Sequence, residues 1–279
     1  MPLVFVPTPL GNLRDVTLRA IDVLRTSEVV VAEDTRVARR LLNALEIEGR
    51  EIWSYREQNA QRVTSGILER ARTGLVAVTS DAGTPGISDP GSDLVAAARA
   101  AGVAVEVLPG PSAVIGVALL SGFSLRTFSF EGFPPRTAVA RRARYAQALG
   151  REATTIWFET PQRIRASLTD LAAAAPDAVV FLVREYTKLH EQHLQGTPAQ
   201  VAAGLPEPIR GEIAFAIAPY LAAVEREDPA AAIDALLAGG ERVGEVAKQL
   251  AARGLGDRQT LYRTAVQRKA ARKAPLKQR

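Results

Sequence analysis

The chain has 279 residues, 47% hydrophobic and 23% charged, an ordinary globular composition that allows one large core or two modest ones. It contains no cysteine, which excludes disulfides and thiolate metal sites and gives no sign of secretion, so a cytoplasmic protein is expected. The net charge of +5 is uneven: nine Lys or Arg stand against Asp257 alone from Arg253 onward, and eight Arg against three Glu from Arg126 to Arg165. Such clusters suit an extended polyanion better than a small acid, with a solvated basic tail as the plainer alternative.

The first residues, MPLVFVPTPLGN, are apolar only as far as Val6, and no later apolar run approaches the ~18 residues of a membrane span. A soluble protein without a membrane partner is expected. LVFVP, EVVVAED, EIWSY, LVAVTSD and VAVEVLPGP are rich in Val and Ile and predict strands. Between them LRAIDVLRTS, RVARRLLNALE, TSGILERARTG and SDLVAAARAAG place apolar residues at i, i+3 and i+4 and predict helices. This alternation predicts an α/β domain with a largely parallel sheet over residues 1–121. The rhythm breaks at GFSLRTFSFEGFPP, Gly122 to Pro135. TTIWFETP, AVVFLVREYT, HLQGTP and GEIAFAIAP then predict strands with fewer intervening helices, a mixed second domain over residues 122–222. From Pro229 to the end, residues 229–279, the pattern is helical throughout and predicts a small, basic, helix-turn-helix-like appendage.

In open α/β sheets ligands lie beyond the carboxyl ends of the strands. Four predicted strand ends here carry polar or glycine-rich loops: PTPLGNLRD (Pro7 to Asp15), AEDTR (Ala32 to Arg36), SDAGTPGISDPG (Ser80 to Gly91) and PGPSA (Pro109 to Ala113). Any one of them is common loop composition; their coincidence argues for a site. The third has three glycines and two aspartates but no Lys or Arg. A phosphate-binding glycine loop needs a cation where this one has carboxylates, so a cationic or zwitterionic ligand is expected.

Taken in order, PTPLGNLRDVTLRA, VVAEDTR, SDAGTPGISDPG, LPGPSA, FEGFPP, WFETPQR, REYTK and GEIAFAI resemble the successive motifs of the tetrapyrrole-methylase superfamily, from Pro2 to about Ala218. Members acting on corrin or sirohaem precursors usually show GGDP where this chain has AGTP, Ala82 to Pro85, which favours the RNA-methylating branch. The resemblance implies a two-domain class III methyltransferase fold closing over S-adenosyl-L-methionine, a homodimer, and methylation of the ribose 2′-hydroxyl of a cytidine in the decoding centre of 16S rRNA, within the 30S subunit. It implies cofactor contacts from Leu10 and Gly11, from Ala82, Gly83, Thr84 and Ile87, from Ser112 and Ala113, and from Glu159 and Tyr186. Asp81 either joins that set or acts as a turn or helix-capping carboxylate.

Methyl transfer from a sulfonium is an in-line displacement that needs no metal, only a nucleophile held close to the methyl carbon. A neutral ribose hydroxyl is helped by a base, or by a cation that stabilises the developing alkoxide. The candidates are Asp34 and Arg36 in AEDTR, Glu159 and Arg163 in FETPQR, and Glu185 and Lys188 in REYTK. Each also reads as half of a structural ion pair, and Lys188 or Arg163 as a grip on RNA phosphate. His190 and His193 are spaced i, i+3, which does not suit an HExxH zinc site, and no metal is expected. Phe128, Phe130 and Phe133 offer either stacking faces for a splayed base or buried contacts between domains. Two alternatives stay open: a methyltransferase for a tetrapyrrole or a modified protein side chain, and a non-enzymatic RNA-binding assembly factor.

Overall fold

The computed structural model describes residues 2–89, 91–220, 229–252 and 255–273. The chain divides into two compact units, Met1–Tyr220 and Leu221–Arg279. In the first unit, β1 (Leu3–Val6), β2 (Val29–Ala32), β3 (Glu51–Ser54), β4 (Val76–Thr79) and β5 (Val105–Val107) pair in parallel in the order β3-β2-β4-β1-β5. Four helices link them: α1 (Leu18–Thr26), α2 (Thr35–Ala44), α3 (Ala60–Thr73) and α4 (Ser92–Ala100).

The central strands read LVFV, VVVA and VAVT, buried along their whole length, because helices cover both faces of the sheet. Val4, Val6, Val30 and Ala77 meet α1 and α2 through Ala20, Leu24 and Leu42. On the other face Leu3, Phe5, Val31 and Val78 meet α3 and α4 through Ile67, Ala71, Leu94 and Ala98. The chain steps one way across the sheet from β1 to β3 and then reverses to β4 and β5. Right-handed crossovers put the helices on opposite faces once that direction reverses. All four predicted helices and five predicted strands of this half are present, with α3 starting at Ala60 rather than Thr64.

A fifth helix, α5 (Ala113–Leu120), was not foreseen. Its sequence AVIGVALL is apolar throughout, so no helical period distinguishes it from a buried strand. Val114, Val117 and Ala118 pack on Ile156, Phe181, Val183 and Ala216 of a second sheet. That sheet comprises β6 (Phe128–Gly132), β7 (Thr154–Glu159), β8 (Val180–Arg184), β9 (Gln192–Gly196) and β10 (Ile213–Ile217), in the order β6-β7-β10-β8-β9. β6 and β7 run parallel and the other pairs antiparallel, the mixed sheet predicted.

The expectation of few helices here is corrected by α6 (Ala138–Leu149), α7 (Ile164–Ala174) and α8 (Pro198–Ala203). They cover the face opposite α5, where Trp157 stacks on Phe215 at 6.3 Å and meets Tyr145 edge-on at 5.1 Å. β6 lies inside the stretch where the predicted rhythm breaks, a five-residue strand whose register with β7 shifts between Phe130 and Gly132. The basic block is also revised, since six of its eight arginines are in internal ion pairs. Arg141 and Arg142 meet Asp170, Arg144 and Arg151 meet Glu131, Arg163 meets Glu159 and Arg165 meets Glu207.

The second unit holds α9 (Pro229–Ala238), α10 (Val243–Ala252) and α11 (Arg258–Lys273) around a core of Ile233, Val246, Leu250, Leu261 and Ala265. Asp257 caps α11, its carboxylate accepting from Thr260 N at 2.9 Å. Arg253 and residues 274–279 of the basic tail lie outside the described residues. Among the described residues no helix is long and apolar enough to cross a membrane.

Candidate cofactor cavity and the loops around it

The loops after β1, β4 and β5 are tied together by short-range chemistry that their sequences supply. Thr8 and Gly83 exchange backbone hydrogen bonds of 2.9 Å each way. Thr8 Oγ1 donates to Ser80 O at 3.2 Å, Ser80 Oγ to Gly83 O at 2.8 Å, and Thr84 Oγ1 to Pro111 O at 2.9 Å. Gly83 has φ +80°, and a β-carbon there would lie 3.0 Å from Leu10 Cδ2, so glycine is required both by conformation and by close approach.

Within the first unit these loops face the second sheet across a cavity of about 260 Å³. Leu10, Ala82 and Ala113 form one wall. Phe133, Phe158, Val183, Tyr186 and the Gly211 to Ala214 segment belong to the other, together with Glu159, Thr160 and Pro161. The lining includes two carboxylate residues and a phenol, Glu159, Glu212 and Tyr186, and no Lys or Arg. An apolar chamber with carboxylates and no cation suits a sulfonium-bearing ligand and disfavours a phosphate.

The polar groups at the rim are held in pairs. Glu159, whose side chain is fully buried, accepts from Thr160 N at 2.8 Å and from Ser167 Oγ, and lies 3.3 Å from Arg163. Arg163 also donates to the carbonyls of Pro134 and Pro135, binding the Phe133 loop to the end of β7. Lys188 Nζ reaches Glu185 at 2.9 Å and Glu212 at 3.0 Å, and Glu185 accepts from Glu212 N at 3.0 Å. Partial burial acts to raise the Glu185 carboxyl, but the bonds from Lys188 and Glu212 N outweigh it and hold the group below its ordinary value. Glu185 and Thr187 take φ of +55° and +65°, so Tyr186 is presented to the cavity from an unusual left-handed backbone.

Asp34 and Arg36 are placed elsewhere. Asp34 accepts from Arg36 N at the start of α2 and pairs with the Arg36 guanidinium at 2.6 Å; the Arg36 hydrogen bonds hold its carboxyl well below the usual range. Both residues line a separate polar cavity of about 730 Å³ at the carboxyl ends of β2, β3 and β4. Asp81 borders it too and accepts from Asp34 N at 3.2 Å. Burial pushes its neighbour in that cavity, Asp89, up to about 7, with the Glu33 and Asp81 carboxylates adding to the shift.

Of the expected cofactor contacts, Leu10, Ala82, Ala113, Glu159 and Tyr186 border the chamber. Gly11 lies against Lys188, Gly83 and Thr84 fix the loops, Ser112 precedes α5, and Ile87 is exposed and away from the lining. Asp81 faces the polar cavity. Each candidate carboxylate is ion-paired with the candidate cation beside it, Asp34 with Arg36, Glu159 with Arg163 and Glu185 with Lys188. Residue-level reading missed Phe158, Val183 and the Gly211 to Ala214 segment. The signal for the last of these was the GE opening of GEIAFAI, where Gly211 takes φ +89°.

A parallel α/β sheet joined to a mixed sheet, with a cation-free apolar chamber between their loops, defines a methyltransferase fold distinct from glycine-loop nucleotide binders. The solved structure of cobalt precorrin-4 methyltransferase shares this fold, with a TM-score of 0.60 and 18% identity over 78% of this chain and 94% of that one. Residues 2–202 match the family described as Tetrapyrrole (Corrin/Porphyrin) Methylases. The chain is 40% identical over 252 residues to the Ribosomal RNA small subunit methyltransferase I of Mycobacterium tuberculosis, covering 88% of this chain and 87% of the relative. The protein of that name from Thermotoga maritima is 41% identical over 196 residues, covering 70% of this chain and 87% of the relative. The chain belongs to the tetrapyrrole methylase family, in the branch those relatives define. Its cofactor is S-adenosyl-L-methionine, and the chamber's composition fits that group.

Proposed function

We propose that this protein methylates the ribose 2′-hydroxyl of a cytidine in the decoding centre of 16S rRNA, in the cytoplasm, with the 30S subunit as substrate. The observation that carries the reading is the near-full-length similarity to proteins named Ribosomal RNA small subunit methyltransferase I, joined to a chamber without phosphate-binding cations. The AGTP sequence at Ala82 to Pro85 supports the RNA branch over the tetrapyrrole one.

S-adenosyl-L-methionine supplies a methyl group activated on a sulfonium when bound. Leu10, Ala82 and Ala113 would hold it from one side and Phe133, Phe158 and Tyr186 from the other. The apolar walls exclude water, and the absence of Lys and Arg from the lining spares a sulfonium the repulsion of a like charge beside it. In this reading Glu159 with Arg163, and Glu185 with Lys188, shape the chamber, and the domains 1–121 and 122–222 close on it while 229–279 remains an appendage. Asp34, Arg36, Asp81 and Asp89 stand on the substrate side. Asp89, whose carboxyl is pushed up to about 7 by burial, lines the same polar cavity. A homodimer is supported by the apolar surface that α5 exposes at Ile115, Leu119 and Leu120.

The test is incubation with labelled S-adenosyl-L-methionine and 30S subunits from cells lacking the activity, followed by mapping of the label. One alkali-resistant 2′-O-methylcytidine in 16S rRNA is expected. Label on a base, a protein or an added tetrapyrrole would overturn the reading.

A further inference from the structure

The arginines of α2 form a patch that the chamber does not use. Arg36, Arg39 and Arg40 follow i, i+3, i+4 spacing and so share one helix face. With Thr35 and Asn43 they line an open groove of about 570 Å³. All three are exposed. Arg36 is engaged by Asp34, but among the described residues neither Arg39 nor Arg40 is in an ion pair, and Arg40 Nε reaches only the Arg36 carbonyl at 3.4 Å. This differs from the larger arginine cluster at 126–165, where six of the eight arginines are engaged by four acids.

Arg36 borders two spaces, this basic groove and the polar cavity that Asp34, Asp81 and Asp89 line. The two sort an RNA strand by chemistry. Phosphates are attracted to the first and repelled from the second, whereas ribose hydroxyls and the cytosine amino group are donors that carboxylates accept. Consecutive residues of the loop after β4 then face the polar cavity and the cofactor chamber, Asp81 the former and Ala82 the latter.

We infer that the α2 groove is an RNA-backbone site, in which Arg39 and Arg40, with Arg36, bind phosphates flanking the nucleoside to be modified and turn that nucleoside toward the loops after β2 and β4. The inference rests on the rRNA reading above and adds to it where the strand lies.

The test pairs wild type with R39E/R40E, using 30S subunits that lack the modification as the RNA probe. The variant should keep its circular dichroism and its S-adenosyl-L-methionine affinity. Its affinity for subunits should fall at least tenfold at low salt. The slope of log affinity against log salt should flatten by about 1.4 to 1.8, since each lost phosphate contact removes ~0.7 on single strands and ~0.9 on duplex. R39K/R40K should retain most of the slope. R39A/R40A carries the same test should charge reversal unfold α2. A wild type that labels subunits, beside variants that bind them with unchanged affinity and slope, overturns this site and leaves the rRNA reading standing. A wild type that leaves subunits unlabelled overturns both.

Discussion

Lys188 lies against the bare α-carbon of Gly11, so the loop after β1 and the turn after β8 interlock beside the cofactor chamber. No side chain other than hydrogen fits at Gly11 while Lys188 keeps its bonds to Glu185 and Glu212. Gly11→Ala should therefore displace the lysine stem, at an overpacking cost of about 1–3 kcal/mol. Calorimetry should find S-adenosyl-L-methionine bound about tenfold more weakly, as ~1.4 kcal/mol implies. Adding Lys188→Ala should recover part of that loss. Wild-type affinity in the Gly11→Ala protein would show that the interlock does not shape the chamber.

Gly83→Arg tests the glycine loop itself. At φ +80° any side chain is strained, and its β-carbon would press on Leu10, a chamber wall. Cofactor binding should disappear in a protein that still folds. An unchanged binding isotherm would detach this loop from the site.

Arg163→Ala separates structure from chemistry at Glu159. Removing the guanidinium leaves a fully buried carboxylate with fewer donors and frees the Pro134 carbonyl. Breaking such a pair costs about 3 kcal/mol. Urea denaturation should show that loss, with Arg163→Lys only partly restoring it because an ammonium cannot span a carboxylate and two carbonyls as a planar fork does. Full stability combined with lost methyl transfer would return Arg163 to a catalytic role.

Much of this was readable beforehand where the residues carry their own geometry. The fully buried strands LVFV, VVVA and VAVT announce a covered parallel sheet, and the loops at their carboxyl ends announce the site. Ala82 and Gly83 were legible as a pair, but not which of them lines the chamber and which lies against Leu10, because that depends on a bridge to Thr8 distant in sequence. The charge of residues 126–165 misled for a similar reason. Glu131 is shared by two of its arginines, and Asp170, outside the counted stretch, engages two more from a helix later in the chain, so a tally along the sequence shows which charges are present but not which are held.

Asp89 gives the protein a pH signature. The folded carboxyl, desolvated and facing Glu33 and Asp81, keeps its proton up to about 7, whereas an unfolded one releases it near 3.8. The folded state thus holds the extra proton between those values, so stability should fall as pH rises through that window and level off above it. Asp89→Asn should flatten this dependence in urea midpoints measured across the same range. A variant with the wild-type profile would assign the slope to other groups.

The helices of the second unit offer a separate check on the basic tail. Arg258, Arg263 and Lys269 are exposed on α11, while Leu261 and Ala265 of the same helix fill the core. Reversing the three charges should spare that core and the cofactor affinity, and weaken binding to 30S subunits most at low salt. Equal salt dependence in variant and wild type would make the tail a solvated extension.

The strand order has a consequence for how the chain is made. β1 pairs only with β4 and β5, so it has no native neighbour until synthesis passes Val76, and any shorter N-terminal piece can form one native strand pair, β2 with β3. Pairings so distant must close long loops before any contact rewards them, which makes this half slow to assemble and leaves two apolar strands exposed as the ribosome adds the residues between. The strand that ends the wait, β4, also leads into the glycine loop. A nascent chain therefore completes the middle of its sheet and acquires the cofactor loop in the same step.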